Sequence, residues 1–67
     1  MSVINHLREV RVSKGLTQKE VAAALFISKE SLSRYETGKQ DPRLDVAIRL
    51  SKYFEVSMEI LYDVVTD

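Results

Sequence analysis

The chain has 67 residues, 45% of them hydrophobic, with no cysteine and one histidine, His6. This length allows one domain and lies near the lower limit for folding without crosslinks. The hydrophobic share excludes a disordered chain, and the lack of cysteine excludes disulfides and thiolate metal sites. We therefore expect no metal or other cofactor, and a domain stabilised by helix packing, alone or together with self-association.

The formal net charge is zero, but the charges are distributed unevenly along the chain. Residues 1–43 hold eight Lys or Arg and five acids, a net charge of +3, whereas residues 44–67 hold two bases and five acids, a net charge of −3. This asymmetry suggests a basic face and an acidic face.

Neither a membrane span nor a secretory signal is visible in the sequence. No apolar run approaches the roughly 18 residues that would cross a bilayer, and the N-terminus lacks the apolar stretch of a signal peptide. We therefore expect a cytoplasmic protein, associated with the nucleoid if it binds DNA.

Helix signals dominate the N-terminal half, and alternating β-branched residues are missing. The first helix shows apolar residues at helical spacing and stops at Gly15. The second begins at a capping box, in which Thr17 and Glu20 satisfy backbone amides reciprocally. The inward positions of these two helices are predicted to be Val3, Leu7, Val10, Val21, Ala22 and Leu25.

The C-terminal half continues with three more predicted helices. The third runs from Ser28 to about Thr37 with Leu32 and Tyr35 inward, and it ends at Gly38. After a polar loop with Pro42, the fourth covers about residues 44–54, and Ser57 caps a short fifth helix. The inward stripe of the fourth helix is predicted as Leu44, Ala47, Ile48, Ser51 and Phe54. Residues 1–67 are thus expected to form a single all-α domain, a compact five-helix bundle.

The second and third helices, with the short turn between them, form a helix-turn-helix over about residues 17–37. This arrangement lets the second of the pair enter the major groove of DNA. Two stretches stand out: Gly15-Leu16-Thr17-Gln18-Lys19-Glu20-Val21-Ala22 and Leu32-Ser33-Arg34-Tyr35-Glu36. Together with Gly38, Lys39 and Pro42, they resemble the Xre/Cro-type phage-repressor helix-turn-helix family. The resemblance covers nearly the whole chain and implies a five-helix repressor domain.

The resemblance implies that Lys29, Glu30, Ser33 and Arg34 face base edges. Helical periodicity agrees, because inward Leu32 and Tyr35 leave these four on the opposite face. Arg34 and Lys29 suit guanine O6 and N7, whereas Glu30 requires a cytosine amino group or a neighbouring cation. Without the family motif, an ordinary solvated helix face is the simpler interpretation.

Further roles also follow from the resemblance. Gln18 matches a glutamine that contacts a DNA phosphate and braces the recognition helix, although a solvated glutamine is the simpler alternative. Arg11 and Glu36 match a partly buried structural salt bridge. The remaining candidates for phosphate contact are Ser28, Thr37, Lys39 and Arg43.

Two positions depart from the family pattern. Phe26 stands where the family usually has a turn glycine with positive φ, so either the turn relaxes or Phe26 packs, for example against a partner chain. Ser51 stands where the family generally has alanine, and we expect its hydroxyl to bond the carbonyl four residues earlier.

The tail, residues 60–67, is too apolar for a free end. With Leu61 expected in the core, the residues left as candidates for a homodimer contact are Ile60, Tyr62, Val64 and Val65. Such a dimer would place two recognition helices about 34 Å apart on a palindrome. The alternative is a tail that folds back on its own bundle.

The sequence favours a transcription regulator, most simply a repressor that binds a double-stranded DNA operator. A protein-interaction module, such as an antitoxin or an accessory regulator, is the alternative, and zero net charge and the apolar tail favour it slightly. An enzyme is not expected, because the chain has no cysteine and no Gly-rich phosphate loop to act with His6, and its acids are scattered over helix surfaces. The sequence does not give the operator, its half-site spacing or the genes controlled.

Overall fold

The computed structural model describes residues 2–66 as a helical bundle with a short β-ribbon. In chain order the elements are β1 (Ser2–Asn5), α1 (Leu7–Ser13), α2 (Gln18–Leu25), α3 (Lys29–Thr37), α4 (Leu44–Phe54), α5 (Met58–Leu61) and β2 (Tyr62–Val65). The five predicted helices are therefore confirmed. Met1 and Asp67, the ends of the predicted domain and tail, lie outside the described residues.

Side-chain caps fix where α2 and α3 begin. Thr17 Oγ1 accepts from the Glu20 amide at 3.1 Å, and Ser28 Oγ accepts from the Ser31 amide at 3.0 Å. The predicted capping box is only half formed, because the Glu20 carboxylate accepts from the Thr17 hydroxyl, at 3.1 Å, instead of from a backbone amide. These caps set the starts of α2 and α3 within one residue of the prediction.

Four helices end in the same way, with one residue in the left-handed conformation: Gly15, Phe26, Gly38 and Glu55. At each end, the amide of the next residue donates to the carbonyl five positions earlier, as Ile27 does to Ala22 at 3.0 Å. This is the Schellman arrangement, which glycine adopts without strain. Phe26 and Glu55 adopt it as ordinary L-residues, so both helix ends carry backbone strain.

The β-ribbon is the main feature that the sequence analysis missed. β1 pairs antiparallel with β2, with Val3 opposite Val64 and Asn5 opposite Tyr62. The expectation that Val3 lies on the first helix is wrong, since α1 begins at Leu7. A four-residue strand whose partner lies some 60 residues away leaves no local periodic signal. Residues 62–65 of the tail thus pair with the N-terminal strand of their own chain.

The core forms where all five helices meet. The most deeply buried side chains, each exposed by 1% or less, are Leu7, Val21, Leu32, Leu50 and Leu61. The predicted inward residues of α2 and α3, Leu32 and Tyr35 among them, are confirmed as buried. This core holds α3 by one face and leaves its other face outward.

The predicted stripe of α4 is partly wrong. Ala47 and Phe54 are buried, but Leu44 is 72% exposed and Ile48 is 41% exposed. Val46 and Leu50 are buried in their place. The predicted stripe was rotated around the helix axis, because α4 has apolar residues on more than one face.

Ser51 bonds in a different direction from the one expected. Its hydroxyl donates to the Val56 carbonyl at 2.6 Å rather than to a carbonyl one turn earlier, and the Val56 amide donates back to the Ser51 carbonyl at 3.1 Å. Ser51 therefore reinforces the strained turn at Glu55.

Within residues 2–66, no helix is both long and apolar enough to pass through a membrane.

Candidate nucleic-acid interface

The face of α3 opposite the core presents a polar strip, which we call the outer strip: Lys29, Glu30, Ser33 and Arg34. Lys29, Glu30 and Arg34 are exposed and Ser33 is half-buried. The structure thus brings together all four residues expected to face bases. Within residues 2–66, Glu30 lies beyond ion-pair distance of both Lys29 and Arg34, so neither cation is neutralised by it.

The outer strip borders two shallow depressions between α3 and the start of α2. Gln18 lines both, together with Lys29 and Ser33. The larger depression is also lined by Arg8 of α1 and Lys19 of α2, two cations that the sequence analysis did not select. They come close to Lys29 only through the packing of three helices, which no sequence spacing reveals. The result is a concave, cation-lined surface beside an exposed helix.

A buried ion pair anchors this surface. Arg11 Nε donates to Glu36 Oε2 at 2.6 Å, and the Glu36 side chain is only 2% exposed. Arg11 Nη1 also donates to the Leu16 carbonyl at 2.8 Å. The pair implied by the family resemblance therefore exists, and it ties α1 and the following turn to the last turn of α3.

Gln18 belongs to the same network. Its Nε2 donates to Glu36 Oε1 at 2.9 Å, which links the first turn of α2 to α3. One N–H and the carbonyl oxygen of the Gln18 amide remain for another partner. The structure therefore supplies the bracing part of the expected role and leaves a donor beside the depression.

The other candidates for phosphate contact differ in whether their polar atoms already make hydrogen bonds or ion pairs within the protein. Lys39 is exposed. The Arg43 side chain is 86% exposed, and its Nε lies 3.4 Å from Asp45 Oδ1. The Thr37 hydroxyl donates to the Ser33 carbonyl at 2.9 Å, and the Ser28 hydroxyl is used in the α3 cap and in a 2.9 Å contact with Ser31. Only Thr37 of these four lines a depression with Gln18.

The Arg34 guanidinium is held by two side chains. Its Nε donates to Gln40 Oε1 at 3.2 Å, and its Nη2 donates to Ser31 Oγ at 3.4 Å. Gln40 lies in the loop after α3 and was not among the sequence candidates. Its proximity results from the left-handed Gly38, which turns the chain back along the helix.

The turn between α2 and α3 does not relax around Phe26. Phe26 has φ 57° and ψ 40°, and it is 91% exposed, so its ring packs little against its own chain. Behind the turn, Arg49 Nη2 of α4 donates to the Leu25 carbonyl at 2.5 Å. This contact, also missed from sequence, fixes the end of α2 against α4.

The candidate dimer residues lie on or beside the β-ribbon. Ile60, Val64 and Val65 are 54%, 56% and 42% exposed, whereas Tyr62 is half-buried against the core. The Tyr62 hydroxyl is buried without a hydrogen-bond partner among residues 2–66. Its burial, and secondarily the negative charge of Asp41, raises the pKa of Tyr62 from 10.0 to about 12.

His6 links the ribbon to α1. Its Nδ1 lies 3.2 Å from Glu9 Oε2 and its Nε2 lies 3.7 Å from Asp63 Oδ2. Among residues 2–66 there is no group of three or more His, Cys, Asp or Glu placed to hold a metal ion.

Comparison with known proteins gives consistent results. The helix-turn-helix family model HTH_3 matches residues 7–61. The chain is 41% identical over 61 residues to the HTH-type transcriptional regulator ImmR of Bacillus subtilis, covering 91% of this chain and 48% of ImmR. It is 36% identical over 50 residues to the cryptic phage CTXphi transcriptional repressor RstR of Vibrio cholerae, covering 75% of this chain and 45% of RstR. The chain thus spans about half the length of each of these relatives.

The fold is also found in a solved structure. The crystal structure of a candidate DNA-binding protein from Bacteroides fragilis superimposes with a TM-score of 0.86, over 92% of this chain and 100% of that one. Sequence identity is 22%, so this similarity concerns the fold alone.

Proposed function

The chain belongs to the Xre/Cro-like helix-turn-helix family, and from that premise we propose that it is a sequence-specific transcription regulator that binds double-stranded DNA. In this proposal α3 enters the major groove. The observation that carries it is the outer strip: four polar side chains on one exposed helix face, continuous with a cation-lined depression. An α-helix presenting Arg and Lys in this way fits the width and the acceptor pattern of the major groove.

The cations around the strip would contact the phosphate backbone. Arg8 and Lys19 join the earlier candidates Gln18, Ser28, Thr37, Lys39 and Arg43 in this role. Each phosphate neutralised releases counterions, so the logarithm of affinity falls by about 0.9 for each tenfold increase in salt per contact. The zero net charge of the chain is no obstacle, because the bases are concentrated in residues 1–43.

We further propose that the protein acts as a homodimer on a palindromic operator and represses transcription. The exposed apolar residues Ile60, Val64 and Val65, with Val3 paired opposite Val64, support contact between two ribbons. A ribbon of two four-residue strands is marginally stable alone and gains from added packing. Repression is supported by the name of RstR, a transcriptional repressor.

Sedimentation at tens of micromolar tests the dimer. We expect a dimer for the natural chain and a monomer for Val64→Lys, because two lysines would meet across the two-fold axis. A natural chain that sediments as a monomer at this concentration would contradict the ribbon dimer.

DNA binding is tested by selecting bound sequences from a random duplex pool, followed by titration at several salt concentrations. The double variant Lys29→Ala/Arg34→Ala should remain folded, since both side chains are exposed, and should lose base preference at the selected site. Lys52→Ala, which removes an exposed lysine of α4 outside both depressions, is the matched control. Absence of salt-dependent binding by the natural chain would refute the proposal.

The second candidate is a protein-interaction module built on the same fold. Its specific support is Phe26, an aromatic ring 91% exposed at the turn before α3. The same salt titration separates the two, because a module that binds only proteins would show no association with mixed-sequence duplex.

A further inference from the structure

We infer that Gln40 is a positioning residue that orients the Arg34 guanidinium for reading one base pair. This inference rests on the proposed function and adds to it a determinant of specificity outside the recognition helix. The observation behind it is the hydrogen bond from Arg34 Nε to Gln40 Oε1, at 3.2 Å.

The backbone fixes where Gln40 lies. Gly38, with φ 78°, reverses the chain, and the amides of Lys39 and Gln40 both donate to the Arg34 carbonyl, at 3.0 and 3.3 Å. The residue that contacts the Arg34 side chain is therefore itself anchored to the Arg34 backbone. The Gln40 backbone cannot move away from Arg34 without breaking the hydrogen bond between the Gln40 amide and the Arg34 carbonyl.

The hydrogen bonds select which edge of the guanidinium remains available. An arginine side chain has one N–H at Nε and two at each Nη. Gln40 occupies the Nε donor, and Ser31 Oγ accepts from Nη2 at 3.4 Å. Both Nη1 donors and one Nη2 donor remain, and one N–H from each of these two nitrogens forms the fork that guanine O6 and N7 accept. The edge of the Arg34 guanidinium that carries Nε and one N–H of Nη2 is used within the protein, and the edge between Nη1 and Nη2 is left for DNA.

Orienting the side chain in advance should strengthen discrimination at a single base pair. Immobilising a flexible side chain on binding costs about 0.5–1.5 kcal/mol, which corresponds to a factor of about two to twelve in affinity. Because Gln40 is uncharged, its loss should leave the phosphate contacts, and hence non-specific binding, unchanged.

The experiment compares the natural chain with Gln40→Ala, Gln40→Glu and Arg34→Ala on the selected operator and on its single base-pair substitutions. Arg34→Ala identifies the base pair that Arg34 reads. Gln40→Ala should reduce preference at that base pair by about two- to twelvefold, with equal affinity for mixed-sequence duplex and an unchanged melting temperature. Gln40→Glu is the matched isostere: it still accepts from Arg34 Nε, so it should keep the preference while weakening binding to all duplexes.

Several results would overturn the inference. One is an unchanged preference in Gln40→Ala at the base pair that Arg34→Ala identifies. Another is a loss spread evenly over all positions, which would indicate a structural or phosphate role. An Arg34→Ala variant that keeps every preference would also reject it, since Arg34 would then read no base. If the natural chain binds no duplex at all, the proposed function itself fails, which is a distinct outcome.

Discussion

Replacing Arg11 with alanine should destabilise the fold far more than replacing a neighbouring arginine. Glu36 has a side chain only 2% exposed and accepts hydrogen bonds from Arg11 and from Gln18, at 2.6 and 2.9 Å. Without Arg11, the carboxylate stays buried with only the glutamine as partner, and the Leu16 carbonyl loses its donor. The unpaired buried charge, not the loss of an attraction, makes this change costly.

The expected loss of stability in Arg11→Ala follows from the burial of the Arg11–Glu36 ion pair. Breaking a buried ion pair by removing one partner costs about 3–5 kcal/mol, and the remaining Gln18 bond places this case near the lower value. A domain of this length has a total stability of roughly 3–10 kcal/mol. At about 4–8 °C per kcal/mol for a small domain, the melting temperature should fall by about 12–24 °C, or the variant should be unfolded at room temperature.

Thermal melts followed by circular dichroism measure this effect. Arg8→Ala is the matched control, because Arg8 is an exposed arginine of the same helix, and its midpoint should move by only a few degrees. The double variant Arg11→Met/Glu36→Leu should recover most of the loss, since an apolar pair needs no desolvation of charge. An Arg11→Ala midpoint equal to that of Arg8→Ala would refute the reasoning.

Three further changes are predicted. Phe26→Gly should raise stability by about 1 kcal/mol in chemical denaturation, since glycine adopts the left-handed turn without strain, and a lower midpoint would show that the ring is packed. Arg49→Ala should cost about 1–3 kcal/mol in the same assay, because the Leu25 carbonyl at the end of α2 loses its donor. The pKa of Tyr62 is raised to about 12 in the folded chain, so the unfolded chain ionises first and stability should fall as pH rises from about 10 to 12. The melting temperature of Tyr62→Phe should fall less over that range than that of the natural chain. Melting temperatures that fall equally with pH in both proteins would contradict this.

Much of the fold, and the direction in which the outer strip of α3 faces, followed from local signals in the sequence. Thr17 and Ser28 mark the starts of α2 and α3 because their hydroxyls satisfy amides within the next turn, a requirement that involves only neighbouring residues. Leu32 and Tyr35 set the inward face of α3, and the outer strip follows from the helical period alone.

Other features depended on contacts between distant residues. Val3 lies on a strand because its partner Val64 is at the other end of the chain, and Arg8 lines the depression only because α1 packs beside α3. Phe26 and Arg49 show the same dependence. The left-handed conformation of Phe26 is tolerated only in the assembled bundle, and Arg49 reaches the Leu25 carbonyl only because α4 packs against α2.

The sequence by itself determined the five helices, the capped starts of α2 and α3 and the outward face of α3, because each follows from interactions within about one helical turn. The tertiary structure alone decided the β-ribbon, which apolar face of α4 is buried, and the contact between Arg49 and the Leu25 carbonyl. Each of these depends on where the chain returns in space, and hydrophobic burial, being non-directional, does not encode that in any short stretch of sequence.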